Sequence, residues 1–188
     1  EVWSDTGEGP ILLRGLETVQ ARPNYCRWIS ESRVVTGMQG GERIRIWSIP
    51  EGRLVRTIEF GAPTWWEVKE DRILSETDPG HPGKHIDTLL RSWPLPDGEP
   101  VDLGRVDWEA LGARSSFFDP TGSTWFYTKG RTVFARPLPM TEGDRDRVVG
   151  SHGADGVMFL FDACRGDRLV SIDSGGELRF WSMSAPES

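Results

Sequence analysis

Tryptophan recurs along this chain at a spacing that few folds can use. Four short segments share an apolar run closing on tryptophan: Glu1-Val2-Trp3-Ser4, Ile44-Arg45-Ile46-Trp47-Ser48, Leu89-Leu90-Arg91-Ser92-Trp93 and Leu178-Arg179-Phe180-Trp181-Ser182. The intervals between Trp3, Trp47, Trp93 and Trp181 are 44, 46 and 88 residues, the last being two periods of 44. The missing member falls near position 137, where Thr132-Val133-Phe134-Ala135-Arg136 puts an arginine in the tryptophan's slot. A fixed period within roughly 20 to 50 residues marks a repeat architecture whose unit is one small supersecondary structure.

Each period repeats one internal order. An apolar segment comes first: Tyr25 to Ile29, Trp65 to Val68, Ser115 to Phe118 and Val157 to Phe161. A polar turn follows, as in Asp119-Pro120-Thr121-Gly122 or residues 162–167, where Asp, Pro and Gly supply the angles and local bonds of a tight reversal. A second apolar run comes next (Arg33 to Thr36, Arg72 to Ser75, Thr124 to Tyr127, Arg168 to Ile172), and then the tryptophan segment. The period ends on a more polar stretch after a turn, such as Gly52 to Ile58 or Gly98 to Leu103. Short runs separated by close turn signals predict an all-β chain. Only Val106 to Leu111 has helical spacing, enough for one or two turns.

Val157-Met158-Phe159-Leu160-Phe161 is apolar at every position, whereas a strand with one wet face alternates. The pattern predicts sheets that stand radially, with each inner strand buried on both faces and the alternating Arg53-Leu54-Val55-Arg56 at the rim. With these features the chain resembles the WD-repeat β-propellers. The resemblance rests on the repeated tryptophan strand, the turns Phe118-Asp119-Pro120-x-Gly122 and Phe161-Asp162, and the glycine-led outer strand, and it runs over essentially all 188 residues. The expected fold is an all-β propeller of four-stranded antiparallel blades, with a remnant at 1–14 and blades at about 16–60, 61–104, 105–149 and 150–188. Family members have about seven blades, within the usual range of four to eight. These four are therefore expected to be an arc of a larger ring, which also suits a chain that opens on Glu1.

The sequence departs from the family's pattern. The Trp-Asp pair stands here as Trp3-Ser4, Trp47-Ser48, Trp93-Pro94 and Trp181-Ser182. The Gly-His pair is Gly15-Leu16 in one repeat and Gly150-Ser151-His152 in another, so His152 is the one remnant. Gly41 and Gly175 stand near the place of the family's buried aspartate. The Asp-His-Trp hydrogen-bond network is thus expected to be mostly lost, with packing by nine tryptophans and eight phenylalanines in its place.

Charge and composition bound the partners. With 22 basic against 29 acidic residues the net charge is −7, which disfavours nucleic acid, whose binders carry a basic stripe. No run approaches the roughly 20 apolar residues of a membrane span, and no secretory leader is visible. Cys26 and Cys164 are too few for a disulfide framework and are expected as core side chains in a reducing, cytoplasmic setting. The expected partners are other proteins or other domains of the same polypeptide, with no nucleic acid, no membrane and no small-molecule cofactor.

No catalytic, cofactor-binding or metal residue is assigned. His81 and His85 lie four apart, a ligand spacing on a helix, but Pro79, Gly80, Pro82 and Gly83 exclude a helix there. Glu67, Glu70, Asp71, Glu76 and Asp78 form an acidic stretch that reads as a solvated edge. A Ser/His/Asp triad needs a meeting in space that spacing does not show. The resemblance implies that partners dock where inter-blade connections and second-to-third-strand loops meet. The long loop 76–86 and the stretch Gly104 to Arg114 place His81, His85, Asp107, Trp108 and Arg114 there. Trp65 and His152 are further interaction candidates, since aromatic residues and arginine dominate binding hot spots. For Trp65 and Trp108 the alternative is burial between blades. Repeats of this degenerate kind resemble those joined to bacterial signalling kinases, ATPases or proteases. The implied function is a non-catalytic scaffold or sensor module of a larger signalling protein or assembly. The alternative is a hydrolase-like enzyme in the central channel, but the inner strands offer Cys26, Trp28, Trp66, Phe118 and Phe161 there.

Overall fold

Residues 25–38, 41–49, 51–69, 71–77, 88–153, 156–162 and 168–183 are described by a computed structural model. The first blade comprises β1 (Tyr25–Ser30), β2 (Arg33–Gly37), β3 (Gly41–Ser48) and the first half of β4 (Arg53–Val68), all antiparallel neighbours in that order. Strand β4 does not stop at the rim. Its first half pairs with β3, Ile58 opposite Ile44, and its second half pairs with β5 (Arg72–Thr77), Trp66 opposite Ser75. Gly61 stands between the halves at φ 78°, a left-handed conformation that costs glycine little. With β6 (Thr88–Pro94) and β7 (Val101–Val106) the second blade is complete, and seven strands share one sheet.

A short helix, α1 (Trp108–Leu111), leads to the third blade. Asp107 caps it by accepting from the Ala110 N–H at 2.8 Å, and Gly112 ends it at φ 67°. The third blade is β8 (Ala113–Phe118), β9 (Thr124–Lys129), β10 (Thr132–Pro137) and β11 (Arg147–Ser151), with β8 innermost. The fourth is β12 (Val157–Asp162), β13 (Arg168–Asp173) and β14 (Leu178–Ser182), three strands among the described residues. The all-β architecture, the strand order within each period and, among the described residues, the one short helix follow the repeat read from the sequence.

The core lies between blades, because successive residues of a strand face opposite sides of its sheet. Val35, Ile44, Ile46 and Ile58 of the first blade pack against Trp66, Val68, Ile73 and Trp93 of the second. Leu74, Leu90 and Leu103 then meet Phe118, Trp125 and Tyr127 of the third. Phe117, Phe126, Val133 and Ala135 in turn meet Leu160 and Leu169 of the fourth, with Trp181 beside them. Each blade thus offers one side to its successor and receives its predecessor on the other.

The fourth blade ends this series. Leu160, facing the third blade, is 8% exposed, whereas Phe159 on the other side is 57% exposed, as are Leu178 and Phe180 at 53% and 61%. The strand expected to be buried on both faces is open to water at Phe159, since no described blade covers that side chain. Cys26 is exposed and not the core side chain expected, because β1 turns it away from the second blade; Cys164 lies outside the described residues. Among the described residues no helix is long and apolar enough to cross a membrane.

Candidate functional site

The repeated tryptophan has one job in three blades. Its indole N–H donates to a hydroxyl on the neighbouring strand: Trp47 to Thr36 at 2.9 Å, Trp93 to Ser75 at 2.8 Å and Trp181 to Ser171 at 2.7 Å. In the third blade Arg136 fills the slot and Tyr127 takes the hydroxyl's place. Arg136 binds Asp146 through two nitrogens at 2.6 and 2.8 Å, and Tyr127 donates to Asp146 at 2.5 Å. Burial pushes the Asp146 carboxyl up, but the bonds from Arg136 and Tyr127 outweigh it and hold the group below its ordinary range. One charged cluster replaces one indole.

The last blade carries a longer chain of bonds. Trp181 donates to Ser171, Ser171 stands 2.7 Å from His152 Nε2, and His152 Nδ1 stands 3.0 Å from Asp173. Assigned from this network, the protons run one way: indole to hydroxyl, hydroxyl to Nε2, Nδ1–H to carboxylate. Asp173 also accepts from the N–H groups of Gly175 at 3.0 Å and Glu177 at 2.8 Å. Burial raises its pKa, and the bonds from Glu177, His152 and Gly175 bring it below the ordinary value. The aspartate is therefore present, two residues before Gly175, and the network expected to be mostly lost is whole in this blade. Gly150 makes room for it: a Cβ there would stand 2.0 Å from the Trp181 ring.

Ser171, His152 and Asp173 have the connectivity of a hydrolytic triad. However, the three are 0%, 3% and 5% exposed, and the serine oxygen already accepts from Trp181. A nucleophile must reach substrate, so this arrangement is a strut. The nearby Glu177, 4.0 Å from His152 Nδ1, completes a cluster with ligand-type atoms. Its carboxylate is engaged by Arg179 at 2.8 Å and the histidine nitrogens are committed to Ser171 and Asp173, so the donor set is spent on protein bonds.

Glu76, expected at a solvated acidic edge, instead bridges two blades. From β5 it accepts from the Ser116 hydroxyl on β8 and from Trp125 Nε1 on β9 at 3.0 Å. Burial pushes its carboxyl up from 4.5 to about 7, against the bonds from Ser116 and Trp125 and with help from the charge of Glu67. A carboxyl raised in the folded state contributes stability fully below its unfolded pKa, and the contribution is lost as pH rises through about 7. Glu76→Gln, which keeps the neutral form's acceptor, should gain on the natural protein by roughly 2 kcal/mol between pH 5 and pH 8. Urea titrations of both proteins at the two pH values check this; a pH-independent difference would refute it.

At the opposite end of the inner strands a cleft of about 270 Å³ opens among Arg27, Trp28, Glu67, Lys69, Phe117 and Pro120. Lys69 binds Glu67 at 2.8 Å and the Phe118 carbonyl at 2.8 Å, and lies 4.4 Å from the Phe117 ring centre. Glu67 and Lys69 in the cleft are thus tied to each other.

The residues singled out from sequence fall in different places. Trp65 is 55% exposed and Arg114 is exposed, one at the start of the inner half of β4 and the other at the start of β8. Antiparallel pairing puts both at the end of the blades that carries α1, the end of β5 at Thr77 and the start of β6 at Thr88. Asp107, exposed there, is engaged as the helix cap. Trp108 is partly buried against the core between the second and third blades, edge-on to Trp125 at 5.8 Å. His152 is not a surface residue but part of the strut. His81 and His85 lie outside the described residues.

No protein-family model matches the chain, and no curated protein matches it in sequence. Solved structures do. The computationally designed Ika4 protein is 16% identical with a TM-score of 0.52, over 90% of this chain and 96% of that one. The Cps50 (Swd1) β-propeller domain of Myceliophteria thermophila is 9% identical with a TM-score of 0.55, over 81% of this chain and 50% of that one. Hsv2 of Kluyveromyces lactis is 11% identical with a TM-score of 0.57, over 85% of this chain and 48% of that one. This chain therefore spans about half the length of the two natural proteins. At these identities the likeness is one of fold, and with the radial stacking of the sheets it makes the chain a partial ring of β-propeller blades.

Proposed function

We propose that the chain is a non-catalytic protein-interaction module of WD-repeat type, acting in the cytoplasm as the scaffold or sensor part of a larger signalling protein. The observation that supports this reading best is Trp65. Its neighbour Trp66 is wholly buried while Trp65 keeps 55% of its surface in water, at the blade end where loops and inter-blade connections gather. An exposed tryptophan and an exposed arginine at one end of the blades have the composition of a binding hot spot. The acids and bases that a channel enzyme would use are paired within the fold, as the strut and the Glu67–Lys69 pair illustrate.

The test is capture of a partner from native lysate by the natural protein and by a Trp65→Ala, Arg114→Glu double variant with residues 78–86 exchanged for a Gly-Ser linker. We expect capture to fall at least tenfold while the circular dichroism spectrum and melting midpoint stay unchanged. Undiminished capture by a folded variant would overturn the reading.

A further inference from the structure

The cleft at the turn end of the inner strands is built by three blades at once. Arg27 and Trp28 come from β1, Glu67 and Lys69 from the close of β4, Phe117 from β8 and Pro120 from the turn after it. Its charges do not cancel. Lys69 and Glu67 satisfy each other at 2.8 Å, which leaves Arg27 over: its exposed guanidinium has no carboxylate or carbonyl partner among the described residues. The cleft therefore carries one net positive charge, in a chain whose net charge is −7. Lys69 is the unusual member, since its side chain is only 10% exposed. An ammonium has three N–H donors, and here Glu67 and the Phe118 carbonyl accept two of them. The third meets no oxygen among the described residues, in a wall where a charge gains from every added acceptor. The remaining walls are apolar or aromatic, with Trp28 46% exposed and Phe117 and Pro120 beside it.

We propose that this cleft binds the carboxylate of an aromatic acid, supplied by a free small molecule or by the last residue of a peptide. Arg27 offers a planar fork of donors that matches the two oxygens of a carboxylate, and Lys69 adds a compact charge with its spare N–H. Trp28 supplies the flat face on which the ligand's ring packs, a contact that contributes beyond the area it buries. At about 270 Å³ the cleft lies at the small end of ligand sites, so one ring and its acid group fill it. The single excess positive charge suits a monoanion. A phosphate dianion would leave a negative charge uncompensated in the cleft that also holds Glu67. The cleft stands at the opposite end of the blades from Trp65 and Arg114, so it is a second site, independent of the interaction surface.

Fluorine NMR of the chain labelled with 5-fluorotryptophan tests the proposal, with the Trp28 resonance assigned by its loss in Trp28→Phe. Hydrocinnamate should shift that resonance saturably, with a Kd on the order of 1 mM or tighter. Hydrocinnamide, its neutral amide, should bind more weakly by roughly tenfold or more, and Arg27→Gln should weaken hydrocinnamate to a similar degree. Arg53→Gln, at an exposed arginine on the outer half of β4, should leave the affinity unchanged. Acetyl-Gly-Gly-Phe with a free carboxyl end separates the two sources: tighter binding than hydrocinnamate assigns the cleft to a chain terminus, weaker binding to a small acid. Absence of a saturable shift, equal affinity for acid and amide, or undiminished affinity in Arg27→Gln would each overturn the proposal. Inorganic phosphate that displaces hydrocinnamate at lower concentration than hydrocinnamate itself binds would overturn it in favour of a plain anion site.

Discussion

His152→Ala is expected to lower the free energy of unfolding by about 3 kcal/mol, and urea titration followed by tryptophan fluorescence measures it. The ring is 3% exposed and joins Ser171 to Asp173, so its loss leaves the Ser171 hydroxyl proton without an acceptor and the Asp173 Oδ2 without its donor where water does not easily reach. The vacated ring volume, beside Trp181 at 6.1 Å, adds a packing loss in the same direction. A change below about 1 kcal/mol would mean that the network is not holding the last blade to the third. His152→Gln should recover part of the loss, because an amide can bond to both neighbours.

The two adjacent tryptophans of β4 give the second large contrast. Trp66→Ala should cost about 4 kcal/mol, as removal of large buried aromatic side chains does, while Trp65→Ala should stay within about 0.5 kcal/mol. Trp66 is fully buried, meets Tyr25 edge-on at 4.5 Å and donates to the Met38 carbonyl at 3.2 Å. Its ring lies so close to the chain that a Cβ on Gly37 would approach it to 2.9 Å. The first blade is docked on the second largely through this side chain, and the variant should lose near-ultraviolet dichroism at a lower urea concentration. Equal effects at 65 and 66 would contradict the assigned faces.

The fold was legible because its signal is periodic and local. Trp47, Trp93 and Trp181 each mark a third strand, and Arg136 marks the same strand without tryptophan, because the register of a blade fixes which position faces the next hydroxyl. The turn residues around Asp119 and the cap at Asp107 speak for themselves within a few residues. What the sequence hid depends on groups brought together from far apart. Asp173 looks like any strand-end aspartate until β13 is paired with β14 and His152 arrives from the third blade's edge. Glu76 reads as one acid among five, and only the stacking of the third blade brings Ser116 and Trp125 to it. Phe159 failed as a core residue for the converse reason: an apolar strand records what it is built to touch, and not whether the neighbour is there.

Strand β4 has a consequence for how the molecule comes apart. In most repeat arrays each unit melts against its neighbours almost independently, and stability is a sum over near-equal links. Here a single 16-residue strand carries hydrogen bonds to β3 along one half and to β5 along the other, so the first two repeats are stitched by backbone as well as by side chains. Amide exchange should therefore report one large protected unit over strands β1 to β7 and smaller, earlier-opening ones after it. Among the described residues the array has four repeats but three independently opening units joined by two links, and the weakest end is the one whose aromatic face lies bare.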